Sequence, residues 1–189
     1  MTSTITEENQ IPEIRRVNAI KNSVAFESLF DEYFPRLYKY AYYRVGDASI
    51  ADDLVAEVFE RILTHLPAFD PTKAPLGAWI FGIARHTVID YLRRDRRQRI
   101  FSLKWFRQDP PSALEAENAS LAGDEKEALH AALRRLSVRE LDVLSLKYAS
   151  TLSNRQIAPL LGLSESNVGV ILHRALNKLR EEMNRSEEK

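Results

Sequence analysis

Three groupings of side chains in this 189-residue chain have the types and spacing to do chemistry. The first is acidic. Asp53, Glu57 and Glu60 fall at i, i+4 and i+7, so a helix carrying them shows all three on one face, with Asp52 beside them. Clustered carboxylates work as acid and base, or hold a metal, when a nucleophile, a glycine-rich loop or suitably spaced histidines accompany them. Here nothing accompanies them. The chain has no cysteine, and His65, His86, His130 and His173 are scattered, with no pair at metal-ligand spacing. No Gly-x-x-x-x-Gly-Lys loop is present to cradle a nucleotide. The expectation is a protein without catalytic residues, metal or cofactor. The first-turn acids Asp52 and Asp53 suit a helix dipole, but Glu57 and Glu60 need another explanation. Because an acidic face repels nucleic acid, its natural partner is a basic protein surface.

The second grouping is cationic. DYLRRDRRQR, residues 90–99, places five arginines between Arg93 and Arg99. Two would complement a helix C-terminus. Five, next to a proline-containing loop that carries Phe69 and Lys73, suit phosphates and unstacked bases.

The third is SNRQIAPLLGLSESNVGVILHRALNKLR, residues 153–180, which reads as a helix-turn-helix. Ala158 is small enough for a close helix crossing and Gly162 can take positive φ in the turn, while Ile157, Leu161, Leu163, Val168 and Ile171 face a core. Pro159 costs its helix one hydrogen bond, at roughly 3 kcal/mol in a helix interior. The second helix of such a motif enters the major groove by its N-terminal half. Ser164, Ser166 and Asn167 supply polar contacts there, Val170 can meet a thymine methyl, and His173 and Arg174 follow one turn on. Arg155, Lys178 and Arg180 are available to phosphates. With Glu165 near the tip and no cation between it and Arg174, this motif alone is expected to bind duplex DNA weakly.

Positioning these groups requires helices. Formal charge sums to zero, but it is segregated: residues 47–60 carry five acids and no base, and residues 85–107 carry eight bases against two acids. Residues 108–127 carry six acids against one base, and 128–189 ten bases against seven acids. Such blocks imply different partners for different segments. Residues 1–23 lack periodicity and read as a flexible extension. Asn22 or Ser23 caps a helix from Val24 to about Val45, with Phe26, Leu29, Phe30, Tyr33, Leu37 and Ala41 on one face and a kink expected at Pro35. Ser49-x-x-Asp52 reads as the capping box of a second helix, with Ile50, Leu54, Val58, Ile62 and Leu66 inward, ending near Pro67. Residues 68–75 form a loop, and LGAWIFGIARHTVIDYLRR resumes helical periodicity, with Trp79 read as core. Residues 100–125, polar and broken by Pro110 and Pro111, read as a flexible linker. Ser137, Ser153 and Ser164 cap successive helices and divide 126–183 into four. The fold class is thus all-α: two small helical domains, 24–99 and 126–185, joined by a flexible linker, the second containing the helix-turn-helix. No apolar run is long enough to span a bilayer, and the N-terminus is polar and acidic, unlike a signal peptide. A soluble cytoplasmic protein without membrane insertion is expected.

In this order the parts resemble a bacterial sigma factor of the extracytoplasmic-function group, with only the second and fourth sigma domains, over residues 24–183. ADDLVAEVFERIL is similar to the family's polymerase-binding helix, AWIFGIARHTVIDYLRRDRR to its promoter-melting segment, and LSVRELDVLSLKY with the helix-turn-helix to its fourth domain. The resemblance implies a transcription initiation factor whose partners are core RNA polymerase, through the β′ clamp helices and the β flap, and promoter DNA. Family membership also allows an anti-sigma factor. It implies that Asp53, Leu54, Val55, Glu57 and Phe59 dock on the clamp helices. Phe69, Lys73, His86 and Asp90 would capture a flipped base of the minus-ten element, with Arg93, Arg94, Arg96 and Arg97 on its backbone. Arg155, Ser164, Ser166, Asn167, Gly169, Val170, His173, Arg174 and Lys178 would meet the minus-thirty-five element. By the same analogy residues 100–125 thread toward the polymerase active site. The chain departs from the family's habits at Ala56, where glutamine is usual, at His86, commonly asparagine, and at Gly169 and Ile171, often basic. A rival reading takes residues 137–180 alone, which also resemble LuxR-type effector domains, and predicts a stand-alone regulator that binds duplex DNA tightly without polymerase.

Overall fold

The structure, a computed structural model, describes the backbone of residues 11–102, 129 and 131–187, and the side chains of 26–97, 129 and 131–185. Every regular element among them is helical: α1 Ile11–Val45, α2 Ala48–His65, a 3-10 turn Leu66–Ala68, α3 Leu76–Ser102, α4 over 131–134, α5 Val138–Ser150, α6 Asn154–Leu161 and α7 Glu165–Glu187. The chain divides into two compact units, 1–35 and 36–189. In the first, Phe26, Phe30 and Phe34 follow one another at i+4 spacing, with ring centroids 6.3 and 4.9 Å apart. Apart from residues 24–35, both helix groups expected as separate domains lie in the second unit, where α3 touches α5 and α6.

Several expectations are corrected. Helix α1 begins at Ile11 rather than Val24, so residues 11–23 are helical and not an irregular extension. Nothing in 13–34 breaks a helix, and Pro12 sits in the first turn, where its missing N–H costs nothing. Helix α1 continues on both sides of Pro35. The cap of α2 is Asp47, not Ser49: Gly46 turns the chain at φ +73°, Asp47 is extended, and its carboxylate accepts from the Ile50 amide at 3.0 Å. Helix α3 runs on through Ser102, into the stretch expected as linker, and the rest of that linker lies outside the described residues.

The apolar periodicities bury as expected at Tyr33, Leu37 and Ala41 of α1, Leu54, Val58 and Ile62 of α2, and Ile80 and Val88 of α3. Phe30 and Leu66, by contrast, are exposed. Tyr40 meets Phe81 edge-on, with centroids 5.9 Å apart. In the C-terminal helices Leu133, Leu136, Leu144 and Ala175 form a second cluster, flanked by Leu141, Leu172, Leu176, Leu179 and Tyr43 of α1.

The serine caps hold. Ser137 and Glu140 close a capping box on α5, and Ser153 and Gln156 one on α6, while the Ser164 hydroxyl accepts from the Asn167 amide at 3.2 Å. Gly162, at φ +62°, ends α6, where the Leu163 amide reaches the Ala158 carbonyl at 2.9 Å and the Gly162 amide reaches Pro159 at 3.3 Å. This pair of bonds is a Schellman turn and sets the angle between α6 and α7. Pro159 is tolerated because it falls in the last turn of an eight-residue helix; the carbonyl it deprives belongs to the exposed Arg155, within reach of water. Thr151 ends α5 at φ +55°, an unfavourable conformation for a β-branched residue.

Candidate functional site

The groups that the sequence singles out fall on three separate helix surfaces. On α2, burial divides them. Leu54, Val55 and Phe59 are 2, 1 and 5% exposed and pack inward, beneath the exposed face of the helix. The outer face carries Asp53, Ala56 and Glu60, all exposed, and the half-buried Glu57, with Leu63 half exposed at the far end. Glu57 is not a free charge: Arg61 binds it at 2.6 Å and Arg94 of α3 approaches at 3.9 Å. Asp53 and Glu60 therefore provide the open negative charge of this ridge, and Ala56 between them is the place where a longer polar side chain would stand.

The second surface is built by the loop after α2 and by α3. Asp70 organises the loop, accepting from the Thr72 amide at 2.9 Å and the Thr72 hydroxyl at 2.6 Å, with Lys73 3.6 Å away. Those two bonds from Thr72 hold its carboxyl below the ordinary range. The Phe69 ring lies 5.0 Å from that of Trp79, and both are half-buried, so Trp79 supports Phe69 from α3 rather than vanishing into the core. His86 is exposed one turn beyond Gly82 and its Nδ1 lies 2.7 Å from the Gly82 carbonyl. Since a carbonyl oxygen only accepts, that contact places a ring proton on Nδ1. Asp90, Arg93, Arg94, Arg96 and Arg97 continue along α3, all exposed. Arg97 is steadied by its own helix, Nε donating to the Arg93 carbonyl at 3.1 Å.

The third surface is the outer face of α7. Ser164, Ser166, Asn167, Val170, His173 and Arg174 are all exposed, with Arg155 exposed at the start of α6. A Cβ on Gly169 would stand 3.7 Å from the Asn154 side-chain Nδ2 on α6, which is ordinary contact. Lys178 is engaged differently from the expectation. Its ammonium donates to both Glu140 oxygens, at 2.7 and 2.9 Å, tying α7 to the capping box of α5. Partial burial pushes the Glu140 carboxyl up, but the bonds from Lys178 and Ser137 outweigh it and the net position is lowered.

One buried group escaped the sequence reading. Asp142, 5% exposed on α5, accepts from the Tyr40 hydroxyl at 3.2 Å and from Arg85 Nε at 2.9 Å, with Arg44 Nε at 3.6 Å. Burial, followed by the charge of Asp142, drives the Tyr40 phenol far above its ordinary range, so it remains a donor. The signal in the sequence is a lone carboxylate between Leu141 and Val143, at a position whose neighbours are core.

No helix among the described residues is long and apolar enough to cross a membrane, and no group of three or more acids, histidines or cysteines there is placed to hold a metal.

Residues 29–98 match the Sigma-70 region 2 family and residues 126–179 the Sigma-70 region 4 family. The chain is 31% identical to the ECF RNA polymerase sigma factor SigX of Bacillus subtilis, over 84% of this chain and 83% of that one. It is also 31% identical to SigL of Mycobacterium tuberculosis, over 86% and 90%. The match to BldN of Streptomyces coelicolor, 31% identical over 82% of this chain, spans only 59% of that protein. The fold is shared with the sigma factor RpoE of Bartonella quintana, solved with the anti-sigma factor NepR, at a TM-score of 0.69, 24% identity and coverage of 85% of this chain and 97% of that one. It is shared also with CnrH, solved with the cytosolic domain of CnrY, at a TM-score of 0.62, 23% identity and coverage of 86% and 89%. The succession of the two matched regions and the 31% identity to relatives over more than four fifths of the chain agree: the chain belongs to the ECF RNA polymerase sigma factors.

Proposed function

We infer that the chain is a transcription initiation factor that binds core RNA polymerase, directs it to promoters through minus-ten and minus-thirty-five elements, and assists DNA melting. The observation that carries this is the separation of charge on one scaffold. An acidic ridge on α2 is open at Asp53 and Glu60, while the cationic flank of α3 and the polar face of α7 lie elsewhere. The ridge is the docking surface for the β′ clamp helices. Phe69, Lys73, His86 and Asp90, with Arg93, Arg94, Arg96 and Arg97, take the unpaired strand of the minus-ten element. Arg155, Ser164, Ser166, Asn167, Val170, His173 and Arg174 face the minus-thirty-five duplex, and Lys178 acts from behind by bracing α7.

Energetics support a helper that cannot act alone. Opening about ten base pairs at roughly 1.4 kcal/mol per stacking step costs on the order of 14 kcal/mol, whereas holding a flipped base recovers only a few. Polymerase supplies the remainder, and tethering makes a weak α7 reader sufficient through effective concentration. The reading is of a non-enzymatic, cytoplasmic factor, since that is where polymerase works, and it leaves room for an anti-sigma protein on the same surfaces.

Run-off transcription with core polymerase on a promoter library tests it. Promoter-specific transcripts that depend on the chain are expected, with poor binding of duplex promoter by the chain alone. Nanomolar operator binding without polymerase, and no gain in specific transcripts, would instead establish the stand-alone regulator.

A further inference from the structure

A cleft of about 860 Å³ opens between the end of α2, the loop that follows it, α3 and α6. The half-buried Trp79, Ile83 and Leu160 line it together with the buried Ala78. Beside it α3 and α6 touch, Leu160 Cδ2 lying 3.6 Å from the position of a Cβ on Gly82. The polar part of the lining is of one kind: Arg61, His65, Lys73, His86 and Arg155 contribute to it, and no carboxylate does. These charges are unevenly compensated. Glu57 holds Arg61 at 2.6 Å and Asp70 stands 3.6 Å from Lys73, whereas Arg155 meets no acid among the described residues. Hydrogen-bonding capacity is one-sided as well. Arginine and lysine only donate, and the Gln156 side-chain oxygen already accepts from the Ser153 amide at 2.9 Å, which leaves its NH2 group to donate. A head group that only accepts fits such walls.

Apolar walls, a volume of this size and a few convergent polar groups are the ordinary make-up of a small-molecule site. A nucleic-acid strand accounts for the exposed cations of this region, but Ile83 and Leu160 offer nothing to sugar or phosphate. We propose that the cleft binds a small amphipathic organic acid, its apolar body against Trp79, Ile83 and Leu160 and its carboxylate turned toward Lys73 and Arg155. Lys73 and His86 also serve the strand-binding surface, so an occupied cleft weakens capture of the minus-ten strand. That consequence, unlike the binding itself, rests on the sigma-factor reading above.

Calorimetric titration of the full chain with decanoate, decanol and inorganic phosphate tests the site. Decanoate should bind saturably at one molecule per chain, decanol at least tenfold more weakly, and phosphate without saturation. Absence of saturable decanoate binding would overturn the site. Equal affinity for decanol would overturn the part played by the charge, and equal affinity for phosphate the part played by the apolar walls. Lys73→Gln with Arg155→Gln removes two charges at exposed positions and should lower decanoate affinity tenfold or more. The variant should keep the weak decanol affinity of the parent, a readout that an unfolded chain would lose. Unchanged decanoate affinity in this variant would overturn the placement of the carboxylate. Saturating decanoate should also lower the affinity of the chain for a single-stranded minus-ten oligonucleotide threefold or more, and unchanged affinity would overturn the competition. Failure of the chain, without decanoate, to direct promoter-specific transcripts would overturn the sigma-factor reading instead and leave the calorimetric result standing.

Discussion

Glu140 ties the N-terminus of α5 to the body of α7, and replacing it with glutamine isolates the contribution of its charge. The carboxylate accepts from the Ser137 amide at 2.8 Å, from the Ser137 hydroxyl at 2.8 Å and from Lys178 at 2.7 and 2.9 Å. A glutamine oxygen still reaches the Ser137 amide, so the cap survives in a neutral and weaker form, at a loss of about 1 kcal/mol. The Lys178 pair is half open to water on the lysine side and contributes at most about 1 kcal/mol more. Glu140→Gln should therefore destabilise the chain by about 1 to 2 kcal/mol at pH 7. With a urea m-value of about 2 kcal/mol/M, the midpoint falls by roughly 0.5 to 1 M. The pH dependence has a defined sign. Because the bonds from Lys178 and Ser137 hold the folded carboxyl below the ordinary glutamate range, its stabilisation is fully present above that range and is lost as pH falls through the folded value. The gap between wild type and variant should be full at pH 7 and shrink as pH falls below the ordinary carboxylate range. Urea titrations of both proteins at pH 7, 5 and 3 measure this. A gap below about 0.3 kcal/mol at pH 7, or one that persists undiminished in acid, would refute the assignment of Glu140 as a charged brace.

Further outcomes follow from the same geometry. Asp53→Lys with Glu60→Lys should weaken core-polymerase binding at least tenfold in a pull-down or fluorescence titration while leaving the melting temperature unchanged, since both side chains are exposed. Arg96→Gln should lower the slope of log affinity against log salt for a single-stranded minus-ten oligonucleotide by about 0.7, the value for one phosphate contact on a single strand. Thr151→Asn, at the one described non-glycine residue with positive φ, should raise stability by about 1 kcal/mol in thermal melts, because asparagine tolerates that conformation and threonine does not. Val170→Asp, on the exposed face of α7, should reduce promoter-specific transcripts without affecting the fold, as read by run-off transcription beside circular dichroism.

Much of the architecture could be read from residue order because it is made by interactions three or four residues long. The capping boxes at Ser137 and Ser153, the Ser164 cap and the glycine turn at Gly162 are satisfied within their own helix ends, so their spacing alone announces them. Local spacing also misled at two points: Asp47 outcompeted Ser49 for the cap of α2, and α1 found no reason to stop before Ile11. Periodicity placed the acidic stripe on one face, yet it could not say that Leu54, Val55 and Phe59 of the same helix point into the core, or that Arg61 and Arg94 already occupy Glu57. The sequence by itself determined the helices, the serine caps of the C-terminal group and the segregation of charge, since each depends on neighbours in the chain. Only the tertiary structure decided which charges remain open and which are consumed. Lys178 finds Glu140 38 residues away, and Asp142 finds Arg85 and Tyr40 at separations of 57 and 102, contacts that exist only once the helices have packed.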